Sequence, residues 1–128
     1  MTQTNVELGQ ILFSPNTIHP YDCPQWVIAL LRDIERKLSI VMWNKNHKEY
    51  ESPFANTGNE FIGKNFEVHA YNWNDEDSQD YNFKCGDIEI SWYKYLGRGT
   101  TVNKLHSRDE YIRMYEICME ELNRWDLD

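Results

Sequence analysis

The stretch that decides the fold is YNFKCGDIEISWY, residues 81–93. Tyr81, Phe83 and Cys85 alternate with Asn82 and Lys84, and Ile88, Ile90 and Trp92 alternate with Glu89 and Ser91. That period of two is the pattern of a strand with one face buried and one face wet. Between the runs, Cys85-Gly86-Asp87 supplies a tight turn, so the stretch predicts two paired strands. Before it, Phe66, Val68 and Ala70 alternate with Glu67, His69, Tyr71 and Trp73, which predicts a third strand over 66–73. After it, Leu96-Gly97-Arg98-Gly99 breaks the pattern, and Thr100 to Val102 is long enough for one short strand.

On either side of these strands the period changes to that of a helix. Trp26, Val27, Leu30, Leu31, Ile34, Leu38, Val41 and Met42 recur at spacings of three and four, with Arg32, Asp33, Glu35, Arg36 and Lys37 on the other side. Asp22 is the expected N-cap, with Pro24 in the first turn and Gln25 at the capping-box position, so the helix is expected to begin near Cys23. It is expected to end near Val41 or to run on to about Asn46. The C-terminal helix has the clearer start: Ser107 and Glu110 form a capping box ahead of Tyr111, Ile112, Tyr115, Cys118, Met119, Leu122 and Trp125. Glu116, Glu120, Glu121 and Asn123 are expected to face water. Ser107 is thereby read as a cap, not a nucleophile. Asn44 to Asn65 carries turn residues and predicts a loop with one short strand near Glu60 to Ile62, while Ile11 to Phe13 reads as a first strand or anchored arm. The sum is an α+β domain over residues 1–128, a small antiparallel sheet packed by an N-terminal-half helix and a C-terminal helix.

Composition narrows the function classes. Thirteen Lys and Arg stand against 21 Asp and Glu, a net charge of −8, which argues against coating duplex DNA or an anionic membrane. At 14% aromatic residues, the chain has too many large rings for a disordered acidic tail. No apolar run approaches the roughly 18 residues of a bilayer span, and the first ten residues lack the basic start of a leader, so a soluble, cytoplasmic protein is expected. Cys23, Cys85 and Cys118 are odd in number and widely spaced, unlike a disulfide framework or zinc knuckles. Cys118 lies on the apolar stripe and is expected to be buried.

Three constellations bear on chemistry. Asp75, Glu76, Asp77 and Asp80 crowd four carboxylates into one loop, but the glycine and terminal glutamate of an EF-type loop are missing, so the reading is a partner-recognition surface rather than a metal site. His19, His47, His69 and His106 lie 28, 22 and 37 residues apart, without ligand spacing. His69 beside Glu67 is the one conceivable general base, and no nucleophile motif accompanies it. Between Glu89 and Asp109 the chain has no acid, yet it carries Lys94, Arg98, Lys104 and Arg108. With Tyr93, Tyr95, the Gly97-Arg98-Gly99 turn and Thr100, this segment offers cations, close backbone approach, a hydroxyl donor and stacking rings to a phosphate or nucleotide. It lacks the P-loop pattern, and a strand-ending turn whose cations pair with the protein's own acids explains the same residues.

The run Trp43-Asn44-Lys45-Asn46 leading into Tyr50, Pro53 and Phe54, with Ser91-Trp92-Tyr93-Lys94-Tyr95-Leu96-Gly97-Arg98-Gly99, resembles small accessory proteins of phages and prophages. That resemblance implies a role in blocking or sequestering components of host defence, in the host cytoplasm. The leading expectation is a non-enzymatic, cofactor-free inhibitor that binds a host protein stoichiometrically, presenting carboxylates where nucleic acid phosphates would sit. The alternative is a sponge for an anionic nucleotide signal, held by Tyr93, Tyr95, Arg98, Thr100, Lys104 and Arg108. A small hydrolase using His69 is the third. The oligomeric state is left open.

Overall fold

The computed structural model describes residues 19–44, 60–72 and 79–127. In chain order these form β1 (Tyr21–Asp22), α1 (Gln25–Asn44), β2 (Phe61–Ile62), β3 (Glu67–Asn72), β4 (Gln79–Cys85), β5 (Ile88–Tyr93), β6 (Thr101–Val102) and α2 (Arg108–Leu127). The strands make one antiparallel sheet in the order β1-β6-β5-β4-β3-β2. The fold is α+β, with one helix from each half of the chain. The expected strand over Ile11 to Phe13, and the 45–59 part of the expected loop, lie outside the described residues.

Register explains why the alternating pattern was decisive. Phe61, Val68, Phe83, Ile90 and Val102 are successive cross-strand partners over five strands, and all five are buried in one cluster with the helices. Because a strand alternates its faces, the neighbouring row His69, Asn82, Ser91 and Thr101 faces the other way. The central turn places Gly86 at φ +60°, where a side chain would be strained. Tyr81 stacks on its partner Trp92 with ring centroids 5.4 Å apart.

Helix α1 buries Val27, Ile28, Leu31, Ile34, Leu38, Val41 and Met42. Its start differs from expectation. Asp22 is drawn into β1 opposite Thr101, and the Cys23 amide extends that pairing by donating to Thr100 O at 2.9 Å. The first helical bonds therefore fall to the Pro24 carbonyl, which accepts from Val27 and Ile28 at 3.0 and 3.1 Å. Trp26, expected in the core, stays 38% exposed at the margin of the stripe, its ring edge-on to Tyr111 at 5.6 Å.

Helix α2 begins as its capping box requires: the Ser107 amide donates to Glu110 Oε1 at 2.7 Å and the Glu110 amide to Ser107 Oγ at 3.1 Å. These bonds hold the Glu110 carboxyl below the ordinary carboxylate value. The helices lie side by side in the same sense. Trp26 meets Tyr111 near their starts, the Tyr115 hydroxyl donates to Asp33 Oδ2 at 3.1 Å midway, and Asn44 Nδ2 reaches Asp126 near their ends.

One residue of α2 reverses the expected pattern. Glu121, expected to face water, is only 2% exposed. It turns back to the β2–β3 connection, where Oε2 accepts from the Lys64 amide at 2.5 Å and Oε1 from the Asn65 amide at 2.7 Å. The Trp125 indole also donates to Oε2, at 3.2 Å. A carboxylate that meets three N–H groups in this way is a structural acceptor for a turn that has no ladder partner of its own.

Candidate functional site

Among the described residues, the most exposed aromatic surface lies where β5 ends. Tyr93 is 51% exposed and Tyr95 76%. Between them Lys94 has φ +63°, and the Tyr95 amide donates to Tyr93 O at 2.7 Å. This is a three-residue γ-turn of the positive-φ kind, rare for a residue with a side chain and strained. Lys94 Nζ lies 5.8 Å from the centre of the Tyr93 ring. The chain then turns inward at Leu96, whose carbonyl accepts from Arg32 Nη2 of α1 at 2.7 Å. The strained turn is thus anchored on one side by β5 and on the other by a helix arginine.

Asp80 is the register partner of Tyr93, so the last residues of β5 lie beside the first of β4. Asp80 of the expected acidic recognition surface thus adjoins Tyr93 of the expected ligand segment. Asp75, Glu76 and Asp77 lie outside the described residues. The flanking Asn72 and Gln79 are paired at the same end. Trp73 is outside too, whereas Trp92 is core.

The remaining members of the Tyr93 to Arg108 set are dispersed. Gly97-Arg98-Gly99-Thr100 forms a turn closed by the Thr100 amide donating to Gly97 O and the Gly97 amide to Thr100 Oγ1, both at 3.0 Å. Thr100, expected to donate to a ligand, is 2% exposed, and its hydroxyl serves this turn. Gly99 takes φ +90°, which keeps the turn narrow and leaves Arg98 exposed. A cleft of about 210 Å³ separates it from the start of α1, lined by Asp22, Cys23, Gln25, Gly97, Arg98, Gly99 and Thr100. The first-turn amides of a helix favour an anion, and the Arg98 guanidinium adds to that field; Asp22 opposes it. Arg108 stacks over the Trp26 ring at 5.1 Å, and Lys104 is exposed between β6 and α2.

His69 is committed on both sides. Its Nδ1 lies 2.9 Å from Glu60 Oε2 and its Nε2 2.7 Å from Glu67 Oε1, which ties β3 to the residue before β2. Ser91, the serine on the same row, is two strands away, about 9–10 Å at ordinary sheet spacing. Its Oγ accepts from Asn82 Nδ2 at 3.2 Å. Among the described residues no three His, Cys, Asp or Glu side chains are grouped to hold a metal ion.

A second cleft, of about 510 Å³, was not foreseen. It lies between the Gly86-Asp87 turn and the first turns of α2, with Cys85, Ile88, Met114 and Ile117 as its apolar walls and Asp87, Asp109 and Arg113 at its rim. Only the chain's long-range path brings these pieces together, so no local motif announces it. All three cysteines are buried free thiols. Burial pushes the Cys23 thiol up to about 12.

No helix among the described residues is long and apolar enough to cross a membrane. Comparison with family models, with curated proteins and with solved structures found no match to this chain.

Proposed function

We propose that this chain is a non-enzymatic binding protein that occupies the surface of a partner protein stoichiometrically, using Tyr93, Tyr95 and the adjoining Asp80. The observation that carries this reading is the γ-turn at Lys94, which turns two large rings toward solvent at the cost of backbone strain. Strain held in place by a helix arginine suits a preorganised contact, and tyrosine, flanked here by Lys94 and Arg98, is enriched among the residues that dominate protein interfaces. The net charge of −8 favours a basic partner surface, such as one that normally holds nucleic acid. The likeness to phage accessory proteins suits inhibition of a host defence component in the host cytoplasm.

The test is a photocrosslinking residue in place of Tyr95, used in bacterial lysate, with mass spectrometry of the adducts. One dominant protein adduct, lost when Tyr93→Ala is added, is the expected result. Adduct patterns indifferent to Tyr93→Ala would refute the assignment of this surface.

A nucleotide sponge is the second reading, favoured by Arg98 beside the start of α1. At about 210 Å³ that cleft falls below the range of about 300–1,000 Å³ usual for small-molecule sites, so a ligand there would bind by its phosphate alone. Calorimetry against cyclic and linear nucleotides separates the readings, with Arg98→Lys expected to weaken any binding through loss of a bidentate contact. A hydrolytic role for His69 has the least support, since carboxylates face both ring nitrogens.

A further inference from the structure

We propose that the cleft of about 510 Å³ between the Gly86-Asp87 turn and the first turns of α2 binds a small organic cation with an aromatic body, an amphipathic amine. Its volume lies within the range of about 300–1,000 Å³ usual for small-molecule sites and is more than twice that of the cleft beside Arg98.

The walls come from three parts of the chain, and each is fixed from outside the cleft. On the helix side Glu110, Met114 and Ile117 are spaced i, i+4 and i+7 and share one face of α2, whose start is closed by the Ser107–Glu110 capping box. On the sheet side the Asp87 carbonyl accepts from Asn103 Nδ2 at 2.8 Å, which ties the tight turn to the residue after β6. On the third side Asn65 is held through its amide, bonded to Glu121 Oε1 at 2.7 Å. A site whose walls stand without the ligand has little order left to impose on binding.

The chemistry of the walls selects the occupant. Inside, Cys85, Ile88, Met114 and Ile117 offer apolar surface, and a methionine thioether makes favourable contacts with aromatic rings. At the rim Asp87, Asp109 and Glu110 set three carboxylates against the one guanidinium of Arg113, which itself lies 3.5 Å from Glu116. Among the described residues no ion pair takes up the carboxylate of Asp87 or Asp109. An anion meets this rim unfavourably, and the helix start does little to offset it, because the Glu110 amide already donates to Ser107 Oγ. An amine carried on a ring puts each part against its complement: the ring on Ile88, Met114 and Ile117, the ammonium at Asp87 and Asp109. The net charge of −8 also draws cations toward the chain as a whole.

The site lies at the Gly86 end of β4 and β5, away from Tyr93, so the proposal is independent of the partner-binding reading. It is tested on the full chain with three probes that share one ring system: tryptamine as the cation, 3-methylindole as the neutral form and indole-3-acetate as the anion. Each is titrated while the amide resonances of Gly86, Asp87 and Arg113 are followed by NMR. Tryptamine should bind about three- to fivefold more tightly than 3-methylindole, the worth of one exposed ion pair, and indole-3-acetate more weakly than either. Asp87→Asn combined with Asp109→Asn should bring tryptamine to the level of 3-methylindole. Ile117→Trp, which fills the cleft from a partly exposed helix position, should abolish the shifts for all three probes. Should that variant fail to fold, the order of the probes on the native chain still decides the matter. Tryptamine that leaves the three amides unmoved, shifts that survive Ile117→Trp, or an anion that binds as well as the cation would each overturn the proposal.

Discussion

Replacing Glu121 by alanine should be among the most damaging single changes to this fold, and the structure gives the size of the effect. The side chain accepts from the Lys64 and Asn65 amides and from the Trp125 indole, at 2.5, 2.7 and 3.2 Å. Removing it strands three donors, each of which costs about 1–3 kcal/mol when left unsatisfied in the interior. The two amides belong to exposed residues that water can reach after truncation, so the low end applies, and the sum is about 3 kcal/mol. Glu121→Gln should lose less. With its carbonyl oxygen in the place of Oε2, glutamine keeps the Lys64 and Trp125 bonds, but its NH₂ group then faces the Asn65 N–H, a cost of about 1–2 kcal/mol. Gly63→Ala attacks the same joint from the other side. A methyl there would lie 2.6 Å from the Phe61 ring and 2.9 Å from Phe66 O, and would press on the Glu121 carboxylate. Urea unfolding followed by tryptophan fluorescence should rank the native chain above Glu121→Gln, and that above Glu121→Ala, with a melting temperature roughly 10 °C lower for alanine. The reasoning fails if alanine costs under about 1 kcal/mol, or if glutamine is as harmful as alanine.

The other predictions probe separate parts of the fold. Ser107→Ala should cost about 1 kcal/mol by removing the hydroxyl that caps the Glu110 amide, measurable as a lower urea midpoint at unchanged slope. His19 is buried beside Glu89, and desolvation lowers its pKa from the ordinary 6.5 despite that carboxylate. Between the ordinary value and the lowered one the unfolded chain binds the extra proton, so stability falls as pH drops through 6.5 and levels off below the folded value. His19→Gln should flatten that slope; an unchanged profile between pH 7 and 5 would exclude this assignment. Glu110 acts in a lower window: its folded pKa is depressed, so its contribution is complete above the ordinary 4.5 and is lost as pH falls through the folded value. Lys94→Gly relieves a left-handed residue worth about 1–2 kcal/mol, offset by about 0.5–1 kcal/mol of added unfolded-state entropy, so it should stabilise slightly while weakening partner capture. A Lys94→Gly chain less stable than the native one would show that the γ-turn is not strained.

Features set by local grammar were legible in the sequence. The alternation of Phe66 to Ala70, Tyr81 to Cys85 and Ile88 to Trp92 gave the sheet and its buried face, and Ser107 with Glu110 gave the start of α2. What failed was decided by residues far away in the chain. Asp22 has the chemistry of an N-cap, but pairing with Thr101 outweighs it, and the helix starts later. Glu121 has the helical position of a solvent residue, but two amides more than fifty residues distant hold it inside. In the candidate site, the charge and aromatic pattern from Tyr93 to Arg108 was visible. Its division among a sheet end, the start of α1 and the start of α2 was not, because that depends on where β6 returns the chain.

The two ends of the central strands are held differently. At the Gly86-Asp87 end, α2 packs across the turns. Glu121 holds the β2–β3 connection, and Trp125 packs on Phe61 at 5.4 Å. Such multiply tied elements open only with the whole domain. At the Asp80–Tyr93 end a bond from Arg32 holds the Leu96 carbonyl after the turn, and the adjoining backbone is strained rather than relaxed. A strained turn would relax if stability alone shaped it, since a glycine at position 94 removes the strain without touching the core. Its persistence is accounted for if the rings of Tyr93 and Tyr95 must be held outward before a partner arrives, so that binding does not have to order them. On the proposed binding reading Arg32 is expected to act as a positioning residue for Tyr93 and Tyr95. Arg32→Ala should weaken partner capture while leaving Tyr93 and Tyr95 in place as side chains, an outcome that a purely structural role for the Arg32–Leu96 bond would not produce unless the domain itself unfolded.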